Sequence, residues 1–169
     1  MHEFNPFSIN KPKFLDILGF SDFNLDKERK ILELKFNASA EITHSNDTIV
    51  QGGFVTAMLD SCMAQLVLAL KNGQVNPLTL DINVQFLRPC TVGEITVKAK
   101  YIKDGKTIAY TSAELFQNDK IVASATATSK FVSTCSSMML QDTMKVMLKI
   151  VISRFTIEIM DPLMAFQSY

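Results

Sequence analysis

The stretch Thr48-Ile-Val-Gln51-Gly52-Gly53-Phe54-Val-Thr-Ala-Met-Leu-Asp60-Ser-Cys-Met-Ala-Gln-Leu-Val-Leu-Ala-Leu70 decides how the chain is read. From about Gly53 to Lys71 it is apolar nearly all round, which predicts a helix enclosed by other elements rather than laid on a surface. Asn72-Gly73 supplies its stop. Asp60 is the only charged residue between Asp47 and Lys71. A lone carboxylate in such surroundings costs several kcal/mol (roughly 2–7 for a polar group) unless it is paired, hydrogen-bonded or protonated. The glycine pair before the helix predicts bare backbone N–H groups at its positive end. Carboxylate and oxyanion-binding backbone together suit catalysis. A core Asp satisfied by a polar pocket or a subunit interface fits the same residues.

That helix is too short for the ~20 residues of a membrane span and carries Thr56, Asp60, Ser61 and Gln65, so a buried core helix is expected. Upstream, residues 11–20 read as a short helix with Pro12 in its first turn and Gly19 as its stop. Phe23–Phe36 reads as two strands joined by a charged turn at Asp26–Lys30, and a polar loop covers 41–47. Downstream, four strand-like segments follow: Leu78–Leu87, Glu94–Lys103, Thr107–Gln117 and Lys120–Val132. The short connections Asp104-Gly105 and Asn118-Asp119 favour an antiparallel meander. A long apolar helix followed by antiparallel strands predicts an α+β domain in which a curved sheet wraps one central helix.

With 169 residues the chain suits one such domain, here placed at residues 1–132, burying about 70% of its unfolded surface. Residues 133–169 form a C-terminal tail outside this plan. They hold six of the nine Met residues, and their charges gather on no clear face. Lys plus Arg and Asp plus Glu both number 17, with no basic run, which argues against a nucleic-acid partner. An anionic ligand must therefore be held by a few placed cations. Arg88, at a strand end, could bind phosphates. Three separated cysteines (Cys62, Cys90, Cys135) and two histidines argue against a disulfide framework or a zinc site. The N-terminus lacks a basic region followed by an apolar run, so no signal peptide is read and a cytoplasmic location is expected.

Val50-Gln51-Gly52-Gly53-Phe54, Asp60, then Asp81-Ile-Asn-Val-Gln-Phe-Leu-Arg88-Pro89 and Gly93 resemble the hotdog-fold acyl-CoA thioesterases of the phenylacetate-degradation (PaaI-like) type. That family usually reads His-Gly-Gly with an Asp nine residues after the His, and Gln51 and Asp60 keep the spacing with Gln in place of His. The resemblance covers roughly Phe14 to Val132. It implies Asp60 as nucleophile on the thioester or general base for water. It implies the Gly52 N–H as donor to the thioester carbonyl, a contact typically worth about 10²–10³ in rate. Thr79 falls where the family has a water-positioning Ser or Thr. The family's Asn, six residues before the His, corresponds to Ser45, with Asn46 one residue out of register.

The resemblance also implies a homo-oligomer, a dimer or a dimer of dimers, because carboxylate and glycine come from different protomers. No metal or cofactor is expected beyond the coenzyme A of the substrate. The pocket is expected at the dimer interface, lined by Phe54, Met58 and the Leu78–Phe86 strand and taking a medium-chain or aromatic acyl group, with Gln51, Gly53, Asn46, Phe54 and Arg88 as substrate-binding residues. Three other readings stay open. They are a non-hydrolytic acyl-CoA-binding or sensing module, an enoyl-thioester hydratase using His44 with an Asp, and a ligand-free structural dimer.

Overall fold

The computed structural model describes residues 11–44 and 46–133. The tail expected at 133–169 therefore lies outside the described residues, Ser133 apart.

The elements run α1 (Phe14–Ile17), β1 (Phe20–Asp26), β2 (Ile31–Ala38), a 3-10 turn (Ala40–Ile42), β3 (Thr43–His44), β4 (Ile49–Val50), α2 (Gly52–Leu70), β5 (Val75–Phe86), β6 (Gly93–Asp104), β7 (Ile108–Gln117) and β8 (Lys120–Ser133). The short helix read over 11–20 shrinks to the four residues of α1. Gly19 stops it at φ +73, where a Cβ would stand 2.0 Å from the Asn37 carbonyl oxygen. No side chain fits there. The polar loop at 41–47 contains part of the 3-10 turn and the small β3–β4 ladder, in which Thr43 faces Val50 and His44 faces Ile49.

Six strands form one sheet in the order β1-β2-β6-β7-β8-β5. β1–β2, β2–β6, β6–β7 and β7–β8 pair antiparallel. Ser124 beside Gln85 and Val122 beside Leu87 give β5 and β8 opposite directions as well. Asn118 and Asp119, both at positive φ, make the tight β7–β8 turn their sequence promised.

The alternation along the strands explains how α2 docks. Leu32, Leu34 and Phe36 of β2 and Ile95, Val97 and Ala99 of β6 are buried on the helix side. On β7 and β8 the inward positions are mostly small: Ala109, Ala113, Ala123, Ala125 and Ala127. Bulky side chains at one end of the sheet and alanines at the other let a 19-residue helix lie close against a curved surface. Met58, Leu59, Cys62, Met63 and Leu66 fill the contact, and the Cys62 thiol lies 3.5 Å from the Leu32 and Val97 carbonyl oxygens.

The enclosure expected for α2 is one-sided within a single chain. Gly53 is exposed, and Ala57, Asp60, Ala64 and Leu68 remain only half-buried along the opposite stripe. Contrary to the length argument from the sequence, the 19-residue helix is long and apolar enough to cross a bilayer, but 56% of that apolar window is buried inside the domain. β5 closes one edge of the sheet with Leu78, Leu80 and Phe86 exposed.

Burial pushes the Cys62 thiol far above its ordinary range, and pushes the Cys90 thiol up to about 11. A raised folded-state pKa stabilises the fold below the unfolded value of about 8.5 and loses that contribution as pH rises through the folded value. A Cys135→Ser protein should thus show no thiol reactive toward a disulfide reagent at pH 8 while folded, and two after unfolding. Its denaturation midpoint should fall between about pH 9 and 11, with Cys90→Ala flattening the slope.

Candidate functional site

The site begins where β4 hands over to α2. The Val50 N–H donates to the Cys90 carbonyl (2.8 Å) and the Gln51 N–H to the Ile42 carbonyl (3.0 Å), which fixes the entry to the helix. The loop carrying Cys90 is held in turn by the buried Gln117, whose carboxamide accepts from the Thr91 N–H (2.9 Å) and donates to the Thr91 carbonyl (2.8 Å). Gln51 stands at the N-cap in an extended conformation, and its Oε1 accepts from the Gly53 N–H at 2.6 Å. The Phe54 and Val55 N–H groups reach the Gln51 carbonyl.

The glycine pair therefore does not leave two bare donors, as the sequence suggested. The Gly53 N–H is capped, and only the Gly52 N–H lacks a partner among the described residues. Nor do the two glycines serve one packing purpose. A Cβ on Gly52 would stand 3.2 Å from the Phe86 ring, whereas one on Gly53 would stand 2.7 Å from the Gln51 carboxamide oxygen.

Asp60 is half-buried on α2 rather than sealed in the core, and its Oδ1 accepts from the Thr79 hydroxyl at 2.8 Å. Thr79 thus touches the carboxylate directly. Eight residues of helix separate Gly52 from Asp60, a rise of about 12 Å at 1.5 Å per residue. One carbonyl group cannot lie within hydrogen-bond reach of both in the same chain.

A cavity of about 400 Å³ opens beside the helix start, with His44, Gly52, Val55, Phe86, Arg88 and Cys90 on its wall. Asp60 and Thr79 are not among its lining residues. Arg88 is exposed at its rim, held by a backbone N–H to the Val122 carbonyl and by Nη1 to the Ile121 carbonyl (2.5 Å). Among the described residues nothing else engages its guanidinium, whose remaining donors could take an anion. Phe54 and Met58 do not line this cavity. Phe54 packs half-buried on the core and Met58 is wholly inside it. Asn46 is exposed at φ +60 in the β3–β4 turn, and Ser45 lies outside the described residues.

Two members of this wall are placed by contacts that the sequence does not show. The strand pairing of His44 with Ile49 brings it, still exposed, to the cavity. Phe86 stood in the quoted Phe-Leu-Arg-Pro run, but its seat against Gly52 depends on where β5 ends. Among the described residues no group of three or more His, Cys, Asp or Glu side chains is placed to hold a metal ion.

Residues 42–130, more than half of the chain, match the family model of the acyl-CoA thioesterase N-terminal domain. The chain belongs to this thioesterase family. It is 29% identical over 90 residues to mouse acyl-coenzyme A thioesterase 13, covering 52% of this chain and 61% of that protein. The chain thus spans about three-fifths of the length of that curated relative. Among solved structures, a phenylacetic acid degradation-related protein from Ralstonia eutropha JMP134 superposes with a TM-score of 0.68 at 31% identity, covering 75% of this chain and 96% of the other. The E. coli PaaI protein from the phenylacetic acid degradation operon shares the fold at a TM-score of 0.63 and 20% identity, covering 73% and 86%. The antiparallel sheet wrapped on one long helix is accordingly the hotdog fold.

Gly53→Ala tests the cap. The new methyl group displaces the flexible Gln51 carboxamide, costing about 1 kcal/mol of capping. Replacing a helical Gly by Ala returns about 0.8–1.0 kcal/mol. The denaturation midpoint should therefore stay nearly unchanged. A loss of several kcal/mol would mean that backbone, not the Gln51 side chain, fills the space.

Proposed function

We propose that the protein hydrolyses an acyl-CoA thioester to the free acid and coenzyme A, at a site completed by two copies of the chain. The observation that carries this reading is that Asp60 of α2, held by Thr79 of β5, lies on the same helix whose first N–H, at Gly52, has no partner among the described residues. The Gly52 N–H of one protomer holds the thioester carbonyl, and the partner's Asp60 supplies the carboxylate. Asp60 either attacks the carbonyl carbon, with the thiolate leaving and water opening the resulting anhydride, or takes a proton from the attacking water. Thr79 fixes the carboxylate by its hydrogen bond.

The ~12 Å rise between Gly52 and Asp60 demands the second copy. The exposed apolar side chains Leu78 and Leu80 on edge strand β5 offer it a surface. Arg88 and His44, on the cavity rim and wall, suit the phosphates of coenzyme A, and the neutral chain offers no broader positive field. Phe86 and the apolar β5 residues favour a medium-chain or aromatic acyl group. No metal or cofactor takes part, and the reaction belongs in the cytoplasm. His44 on the cavity wall beside Gly52 supports one second reading, hydration of an enoyl thioester.

Free-thiol release from short, medium, long and phenylacyl-CoAs decides between these readings. The wild type should turn over at least one of them, and Asp60→Asn should lose about 10²–10⁴-fold while keeping fold and oligomer size. Retained turnover in Asp60→Asn sinks the role of Asp60. A silent wild type that instead adds water to an enoyl-CoA, and stops with His44→Ala, selects the hydratase.

The shared site makes a second expectation. Gly52 is the first residue of α2, where proline is tolerated, and Gln51 before it already has the extended conformation that proline requires. Gly52→Pro should therefore delete the donor and keep the helix. Mixed and reassembled with Asp60→Asn, the two inactive proteins should recover about a quarter of wild-type activity, since half of the dimers are mixed and each holds one intact site. No recovery despite mixed dimers would place both groups in one chain.

A further inference from the structure

The replacement of the family's histidine by Gln51 has a consequence of its own. Gln51 Oε1 is fixed by the Gly53 N–H at 2.6 Å. The carboxamide cannot be turned over without setting two donors against each other, because only its oxygen can accept. The Nε2 group therefore points away from the Gly53 N–H, and no partner holds it among the described residues. The seat is a built one. Gly53 lacks the Cβ that would stand 2.7 Å from Oε1 and 3.5 Å from Nε2. Directly beside it is Gly52, a residue of the cavity wall whose N–H has no partner among the described residues; Gln51 itself is exposed and not part of that wall.

We propose that Gln51 Nε2 is the second hydrogen-bond donor to the thioester carbonyl, so that a carboxamide and a backbone N–H together receive the developing negative charge. This rests on the thioesterase reading above and deepens it. The oxygen end of the side chain caps α2 while the nitrogen end acts on substrate, and the helix cap orients the catalytic group. An imidazole in this position would gain and lose a proton near neutral pH, whereas a carboxamide stays neutral and donates at any working pH. Donation that strengthens as the carbonyl oxygen becomes an oxyanion lowers the barrier rather than the ground state, and should appear in kcat more than in KM.

Gln51→Glu separates the two ends. A carboxylate caps a helix as well as a carboxamide does and suits the positive end of the helix, but it has no N–H. The wild type, Gln51→Glu and Gly53→Ala are compared on the acyl-CoA that the wild type hydrolyses fastest. Melting temperature and oligomer size are measured beside kcat and KM. Gln51→Glu should melt at or above the wild-type temperature while kcat falls about 10²-fold and KM moves far less. Gly53→Ala, which pushes the same carboxamide aside, should also lose kcat at near-constant stability. Wild-type kcat in Gln51→Glu would overturn the donor role and leave Gln51 a cap alone. A wild type silent on every acyl-CoA would overturn the thioesterase reading itself, and this inference with it.

Discussion

The one-sided packing of α2 on the sheet is the constraint on which the rest of the structure depends. A 19-residue helix with so few polar positions must bury most of its surface, and the alternating Leu, Val and Ala side chains of β2, β6, β7 and β8 supply the matching face. That contact leaves a stripe from Gly53 through Ala57, Asp60 and Ala64 to Leu68 incompletely covered. Asp60 lies on that stripe, and this is how a carboxylate survives on an otherwise apolar helix. It keeps partial access to water and a hydroxyl partner on the edge strand, so the penalty for burying an unpaired charge does not arise.

The helix then acts as a ruler. Its fixed rise holds the unpaired N–H of Gly52 and the carboxylate of Asp60 about 12 Å apart, too far to meet on one carbonyl group. A site that needs both must draw them from two copies. The same edge strand that carries Thr79 also exposes Leu78 and Leu80, its two neighbours in the alternation of the strand.

How much of this the sequence reveals follows from the range of each interaction. The strand segments, the Asn118-Asp119 turn, the long helix and the Gln51–Asp60 spacing are set by neighbours a few residues apart, and the periodicity exposes them. The pairing of Thr79 with Asp60 spans 19 residues and was reachable only through the family resemblance. The helix looked enclosed because its residues are apolar all round, and composition cannot say which face another copy would cover. Two bare glycine donors were expected because nothing local shows that the Gln51 side chain folds back to take one of them. The place of His44 on the cavity wall is hidden because a two-residue ladder is too short to leave an alternation in the sequence.

The helix start also shows where a nearly neutral protein keeps hydrogen-bond donors that could meet an anionic group. With equal numbers of acidic and basic side chains there is no field to gather charge, so binding and catalysis must use local dipoles. The positive end of α2 offers one of them, but three of its first four donors are already engaged by Gln51, through its side chain and its carbonyl oxygen. Only the Gly52 N–H has no partner among the described residues. Capping with a carboxamide, rather than the Ser or Asp more usual at this position, compensates for that engagement. A hydroxyl or carboxylate would close the Gly53 N–H and offer little or nothing further, whereas the carboxamide closes it and presents N–H donors on its other end. The residue that stabilises the helix start thereby restores the donor capacity its own cap removed.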